Sequence, residues 1–186
     1  DGAAEVATSL ATLQRALDAL QGEPTGTVSI AALPSAAEFL LPGVLRRLQG
    51  SRIRLELTDE DVAEADFARR AADHDIVIGH SLSGRPAGAE RVVAEVVALE
   101  PLDVAVSAEH RLSGRRTLKA ADLTGEDWIG VPLGFPFDTV RIAIENRCGT
   151  SLNVVQRVRD NRVVEALVAS GVGCALLPRF TTRTRP

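Results

Sequence analysis

From Thr27 onward the hydrophobic pattern switches repeatedly between the two-residue period of a strand and the three-to-four-residue period of a helix. TVSIAAL (27–33) reads as a strand. Ser35 then opens a helix, with Glu38 three residues later completing a capping-box signature, and Pro42 in FLLPGVLRRLQG serves as the first residue of a new helical turn. RIRLELT (52–58) is the next strand, the acidic DED leads into a helix over 62–72, and DIVIGH (75–80) is a third strand. Two βαβ units in succession predict a parallel sheet with right-handed crossovers, an α/β fold.

The alternation continues. After the loop SLSGRPAG (81–88) come two strand-like runs, ERVVAEVVALE and PLDVAVSAEH, hinged at Pro101. Thr117 and Lys119 open a short helix ending near Leu123, and DWIGVP (127–132) resumes strand. A helix over 139–147 closes at Gly149, and LNVVQRV (152–158) is another strand. Asp160 or Asn161 caps the helix VVEALVAS, and GVGCALLP is the last strand. Its Gly-x-Gly pair invites a phosphate-binding reading, which requires the order strand, glycines, helix. Here the order is helix, glycines, strand. Gly171 follows a helix C-terminus, where unpaired carbonyls repel an anion, so these glycines shape the chain. The tail TTRTRP has no periodicity, and the chain reads as truncated there.

Ahead of all this, Ala3, Val6, Leu10, Leu13, Leu17 and Leu20 follow a 3-4-3-4-3 spacing, the seam of a coiled coil. Gly22 and Pro24 end that helix. Fewer than three heptads also suit a helix lying on its own domain, but the seam favours self-association through Val6, Leu10, Leu13, Leu17 and Leu20. The opening DGAAEV lacks a methionine, so the chain reads as a fragment.

With 21 basic and 25 acidic residues and a net charge of −4, the chain lacks the electrostatic footprint of a nucleic-acid binder. Cys148 and Cys174 are too few and too far apart for a zinc site or a CxxC motif, and they read as reduced, packed thiols of a cytosolic protein. No signal peptide is seen, and no apolar run reaches the roughly 18 residues of a membrane span. In DEDVAEAD the carboxylates suit a helix start and lack the calcium-loop pattern, so no metal is expected. His74, His80 and His110 form no HExxH, and GxSxG is absent, so neither an enzyme nor a cofactor is expected.

Three places are candidates for small-molecule binding. Ser35 ends a β-to-α turn, where its hydroxyl and the following N–H groups form a carboxylate site or, alternatively, only cap the helix. His80 ends a parallel strand, where ligands collect, though a structural role is the competing reading. Phe135 and Phe137 flank Pro136 in GVPLGFPFD and form either an apolar wall or part of the core.

The whole succession resembles the regulatory half of LysR-type transcriptional regulators. The resemblance rests on the leucine-bearing helix, GTVSIAALPSAAEFLLPGVLRRLQG, RLELTDED, DHDIVIG, LEPLDVAVSAEHRLSG, LKAADL and ALVASGVGCALLP, in that order. It implies a two-lobed, periplasmic-binding-protein-like (type II) fold behind a linker helix (1–22). Lobe I would span 26–101 and 171–186, with a truncated C-terminus, and lobe II 102–170. It further implies a cytoplasmic homodimer or homotetramer. DNA would be bound only through an N-terminal winged helix-turn-helix that the chain lacks. A small-molecule effector, a carboxylate or aromatic metabolite, would lie between the lobes. The matching effector positions are Pro34 and Ser35, Asp61 and Val62, His80, Phe135, Pro136 and Phe137, and Asn161 as a helix cap. Asp61 departs from the small hydroxyl or glycine usual nearby and disfavours an anion there. The alternative is a two-lobed solute-binding protein without a regulatory role, which would be monomeric.

Overall fold

The computed structural model describes residues 6, 8–13, 24–60, 64–82, 84 and 88–182. The order is β1 (Thr25–Ala32), α1 (Pro34–Arg47), β2 (Arg52–Asp59), a 3-10 turn (Glu64–Asp66) running into α2 (Phe67–Arg70), and β3 (Ile76–Ile78). A 3-10 turn at Ala89–Arg91, β4 (Leu102–Ala105) and another 3-10 turn (Ala120–Leu123) follow. The chain then forms β5 (Asp127–Gly130), α3 (Pro136–Cys148), β6 (Asn153–Arg157), α4 (Asn161–Ala169) and β7 (Ala175–Pro178). Among the described residues no helix is long and apolar enough to cross a membrane.

Contacts divide the chain into two compact units. The first comprises Asp1–Asp61 and Arg70–Ile78. Its sheet is parallel in the order β2-β1-β3, as two βαβ units dictate, with Val28 opposite Leu55 and Ile30 opposite Ile76. Small side chains on the central strand let α1 lie close: Ile30, Ala32, Ala37 and Leu41 form the buried core, with Val28, Leu55 and Ile78 around it. α1 runs unbroken through Pro42, where a fresh helical turn was expected. A proline there offers no N–H to the preceding turn and weakens the helix locally, so tertiary packing of Ala37 and Leu41 holds it. Of the helix expected over 62–72, residues 62 and 63 lie outside the described residues, and the described part is a 3-10 turn plus Phe67–Arg70 that ends before 71.

The second unit comprises Val62–Arg69 and Gly79–Pro186. β5 pairs with β6 in parallel, β4 with β7 antiparallel, and a Trp128–Cys174 bridge joins β7 to β5. Trp128, Leu112, Leu123, Leu152, Cys174 and Leu176 form one core cluster; Ile129, Val164, Val168, Ala175 and Leu177 form a second, under α4. The expected lobe limits placed 171–186 with the first lobe; the pairing of β7 with β4 and β5 joins its residues to the chain around them. The strand expected in ERVVAEVVALE is not formed: Val93, Val97 and Leu99 lie in no strand and are 93%, 77% and 83% exposed.

α4 ends as a glycine-terminated helix should. The N–H of Val172 reaches the carbonyl of Leu167, and that of Gly171 reaches Val168, with Gly171 at φ +77°. Gly149 closes α3 in the same left-handed region.

At the front of the chain, Val6 and residues 8–13 are helical, and Val6, Leu10 and Leu13 are about 60% exposed (59%, 61% and 62%). Leu17 and Leu20 of the expected seam lie outside the described residues.

Candidate functional site

In the first unit the carboxyl end of β1 leads directly into α1. Leu33 is the residue before the helix, its N–H bonded to the carbonyl of Ile78, and Pro34 is the first helical residue. Pro34 suits that position because its missing N–H has no acceptor there in any helix. Ser35 therefore lies inside the first turn, half-buried, and does not cap. The capping-box reading of Ser35 and Glu38 is corrected: proline at the first helical position moves the cap back to Leu33, which has no polar side chain. No side chain caps α1, and its first turn carries no acidic residue. The helix start thus presents a positive dipole end beside a hydroxyl. Asp61 and Val62, the candidates following β2, lie outside the described residues. The neighbouring Glu60 pairs with Arg70 at 2.9 Å.

One expected site residue lies two positions past β3. His80 packs edge-on against the buried ring of Phe67, with centroids 5.3 Å apart and planes at 88°. A Cβ on Gly79 would stand 2.6 Å from the same ring, so this stack requires glycine at 79.

In the second unit the carboxyl ends of β5 and β6 point the same way, which brings the loops 131–135 and 158–160 to one edge. Such an edge is where open parallel sheets collect ligands. Phe135 is the residue before α3, half-buried, and the guanidinium of Arg159 lies 5.3 Å from its ring centroid. Pro136 is buried, and Phe137 packs against the Trp128 cluster, so of this aromatic pair Phe137 belongs to the core and Phe135 to the edge. Asn161 is the first residue of α4, and the cap carried over to it by resemblance belongs to Asp160, whose carboxylate accepts the N–H of Arg162 at 2.8 Å.

Beneath this edge lies an ionic network with a helical signature. Asp138, 4% exposed, accepts from Arg141 Nε at 2.9 Å and Arg157 Nη1 at 3.0 Å; Arg141 also reaches Glu145 at 2.6 Å. Burial works to raise the Asp138 pKa, but hydrogen bonds and charge from the two guanidiniums outweigh it and hold the carboxyl below its ordinary value. Arg157 Nη1 also donates to the Val131 carbonyl at 2.8 Å, tying β6 to the loop after β5. A shallow crevice lined by Gly130, Val131, Phe137, Asp138 and Arg141 opens here. The i,i+3 spacing of Asp138 and Arg141 and the i,i+4 spacing of Arg141 and Glu145 were visible in the sequence as a helical salt-bridge pattern, whereas Arg157 and Arg159 carried no local signal.

The family profile described as the LysR substrate binding domain matches residues 21–186. The chain belongs to this family. It is 26% identical over 188 aligned positions to the HTH-type transcriptional regulator ShiR of Corynebacterium glutamicum (strain R), covering 97% of this chain and 62% of that protein. The transcriptional dual regulator GltC of Bacillus subtilis (strain 168) is 24% identical over 156 positions, covering 84% and 52%. The chain thus spans between half and two thirds of the length of these relatives. In fold it matches the regulatory domain of CcmR from Synechocystis PCC6803, solved in complex with 2-PG. The TM-score is 0.68 at 16% identity, covering 87% of this chain and 76% of that one. The fold is that of LysR regulatory domains, the type II periplasmic-binding-like fold.

Proposed function

We propose that the chain is the effector-sensing and oligomerisation part of a bacterial, cytoplasmic DNA-binding transcription regulator. DNA is contacted through a separate helix-turn-helix domain, and the whole assembles as a homodimer or homotetramer. The observation that carries this reading is the family match over 21–186, in a chain whose relatives are transcriptional regulators. The effector is a small molecule bearing a carboxylate, an aromatic ring or both. Ser35 and the uncapped start of α1 suit the carboxylate. Phe135 and Arg159 suit a flat or anionic group.

A thermal-shift screen of this chain against small carboxylates and aromatic acids tests the proposal. At a concentration about a hundredfold above Kd, a true effector raises Tm by roughly 5–10 °C. Ser35→Ala or Arg159→Ala reduces that shift. A panel without any shift, or a shift indifferent to both substitutions, overturns the assignment of these residues.

A further inference from the structure

Away from the effector candidates, three side chains from separate stretches of the second unit converge. His110 Nε2 lies 2.9 Å from Glu126 Oε2 and 3.9 Å from Cys174 Sγ, and one ligand atom from each of the three lies within 4.8 Å of the others. We propose that His110, Glu126 and Cys174 form a binding site for a thiophilic divalent cation of the zinc class.

The donor set is a mixed nitrogen, oxygen and sulfur one, which suits a borderline-soft dication and no alkaline-earth ion. In a tetrahedral site with metal–ligand bonds of about 2.0–2.3 Å, donor atoms stand roughly 3.3–3.7 Å apart. The His110–Glu126 and His110–Cys174 separations bracket that range and all three atoms lie within 4.8 Å, so a cation enters with side-chain shifts of up to about one ångström. All three donors sit on anchored backbone. Cys174 gives its N–H to the Asp127 carbonyl and accepts from Ile129 N–H, both at 2.8 Å, and Glu126 immediately precedes β5. His110 lies in a turn closed by its own N–H to the Ser107 carbonyl at 3.0 Å. The side chains of His110 and Glu126 are 22% and 13% exposed, which leaves a way in, while Cys174 forms the dry floor.

Charge also fits. A bound thiolate and a carboxylate bring two negative charges. Arg111 occupies the other oxygen of Glu126 and leaves Oε2 for the metal. In the metal-free state the Leu112 N–H donates to His110 Nδ1 at 3.2 Å, so the ring proton resides on Nε2 and is shared with Glu126. Binding requires that proton to move to Nδ1, opening the Leu112 contact, and requires the thiol proton to leave to solvent. The competing structural role is a hydrogen-bonded staple of His110, Glu126 and Arg111 lying over Cys174 as a packed core residue, and the two differ in whether the thiol ionises on a metal.

Cobalt(II) titration of the full chain in a Cys148→Ser background is the test. The expected result is a thiolate-to-cobalt charge-transfer band that saturates at one equivalent and is displaced by zinc. Glu126→Gln should weaken binding by at least about tenfold, and Cys174→Ser should abolish the band. If circular dichroism shows that Cys174→Ser fails to fold, His110→Gln decides the matter by the same loss. No band, or a band that survives Cys174→Ser or His110→Gln in folded protein, overturns the site and leaves the staple.

Discussion

Two glycines two residues apart serve different physical ends. Gly171 is needed for its backbone: φ is +77°, and a side chain there would cost about 1–2 kcal/mol. Gly173 is needed for space, since a Cβ would stand 2.6 Å from the carbonyl oxygen of Asp127. That carbonyl accepts the N–H of Cys174, so the strand edge cannot retreat without breaking the bond that joins β7 to β5. Gly171 was legible in the sequence because it follows a helical period. Gly173 was legible only as a turn, because the strand it presses against lies some 46 residues earlier (from Asp127 to Gly173). Gly173→Ala should therefore lower the urea unfolding free energy by about 2–3 kcal/mol, more than Gly171→Ala. Equal or smaller loss at 173 would mean that β5 and β7 part easily.

Among the elements, those with a strong local period came out where the sequence put them. β1, β2, β6 and α4 carry their own alternation, caps and breakers; α3, expected over 139–147, begins three residues earlier because Pro136 suits a first helical position. The run 92–99 did not, because alternation states which side chains suit a pleated surface and says nothing about whether a neighbouring strand exists. The candidate site divides the same way. Ser35 and Phe135 fall at strand-to-helix turns and were visible, whereas the Arg159–Phe135 stack and the Arg157–Asp138 pair depend on strand register, which sequence alone leaves open. The two helix starts make the difference measurable. Asp160 caps α4 with its carboxylate, so Asp160→Ala should cost about 1 kcal/mol in a urea melt. Ser35 caps nothing, so Ser35→Ala should stay within about 0.5 kcal/mol while still weakening effector binding. A Ser35→Ala loss as large as that of Asp160→Ala would return Ser35 to a purely structural role.

For the molecule as a whole, a regulator must convert a small molecule's differential affinity for two arrangements of the protein into a change that DNA-binding domains can read. In the proposed reading, two copies tied together would provide the frame against which such a change acts. Val6, Leu10 and Leu13 are spaced as a coiled-coil seam, lie on helical backbone, and are about 60% exposed in a single copy. Each seam leucine buried in a dimer contributes about 1.5–3 kcal/mol per copy, so one substitution counted twice removes about 3–6 kcal/mol of association free energy. Leu13→Glu adds a desolvated or repelled carboxylate on each side and should raise the dimer Kd by at least about a hundredfold, read by size exclusion with light scattering. Circular dichroism of the domain should be unchanged, because the exposed side chain contributes nothing to either core. A chain that is monomeric at high concentration before the substitution, or a dimer that survives it, would show that the seam is idle and that any assembly runs through another surface.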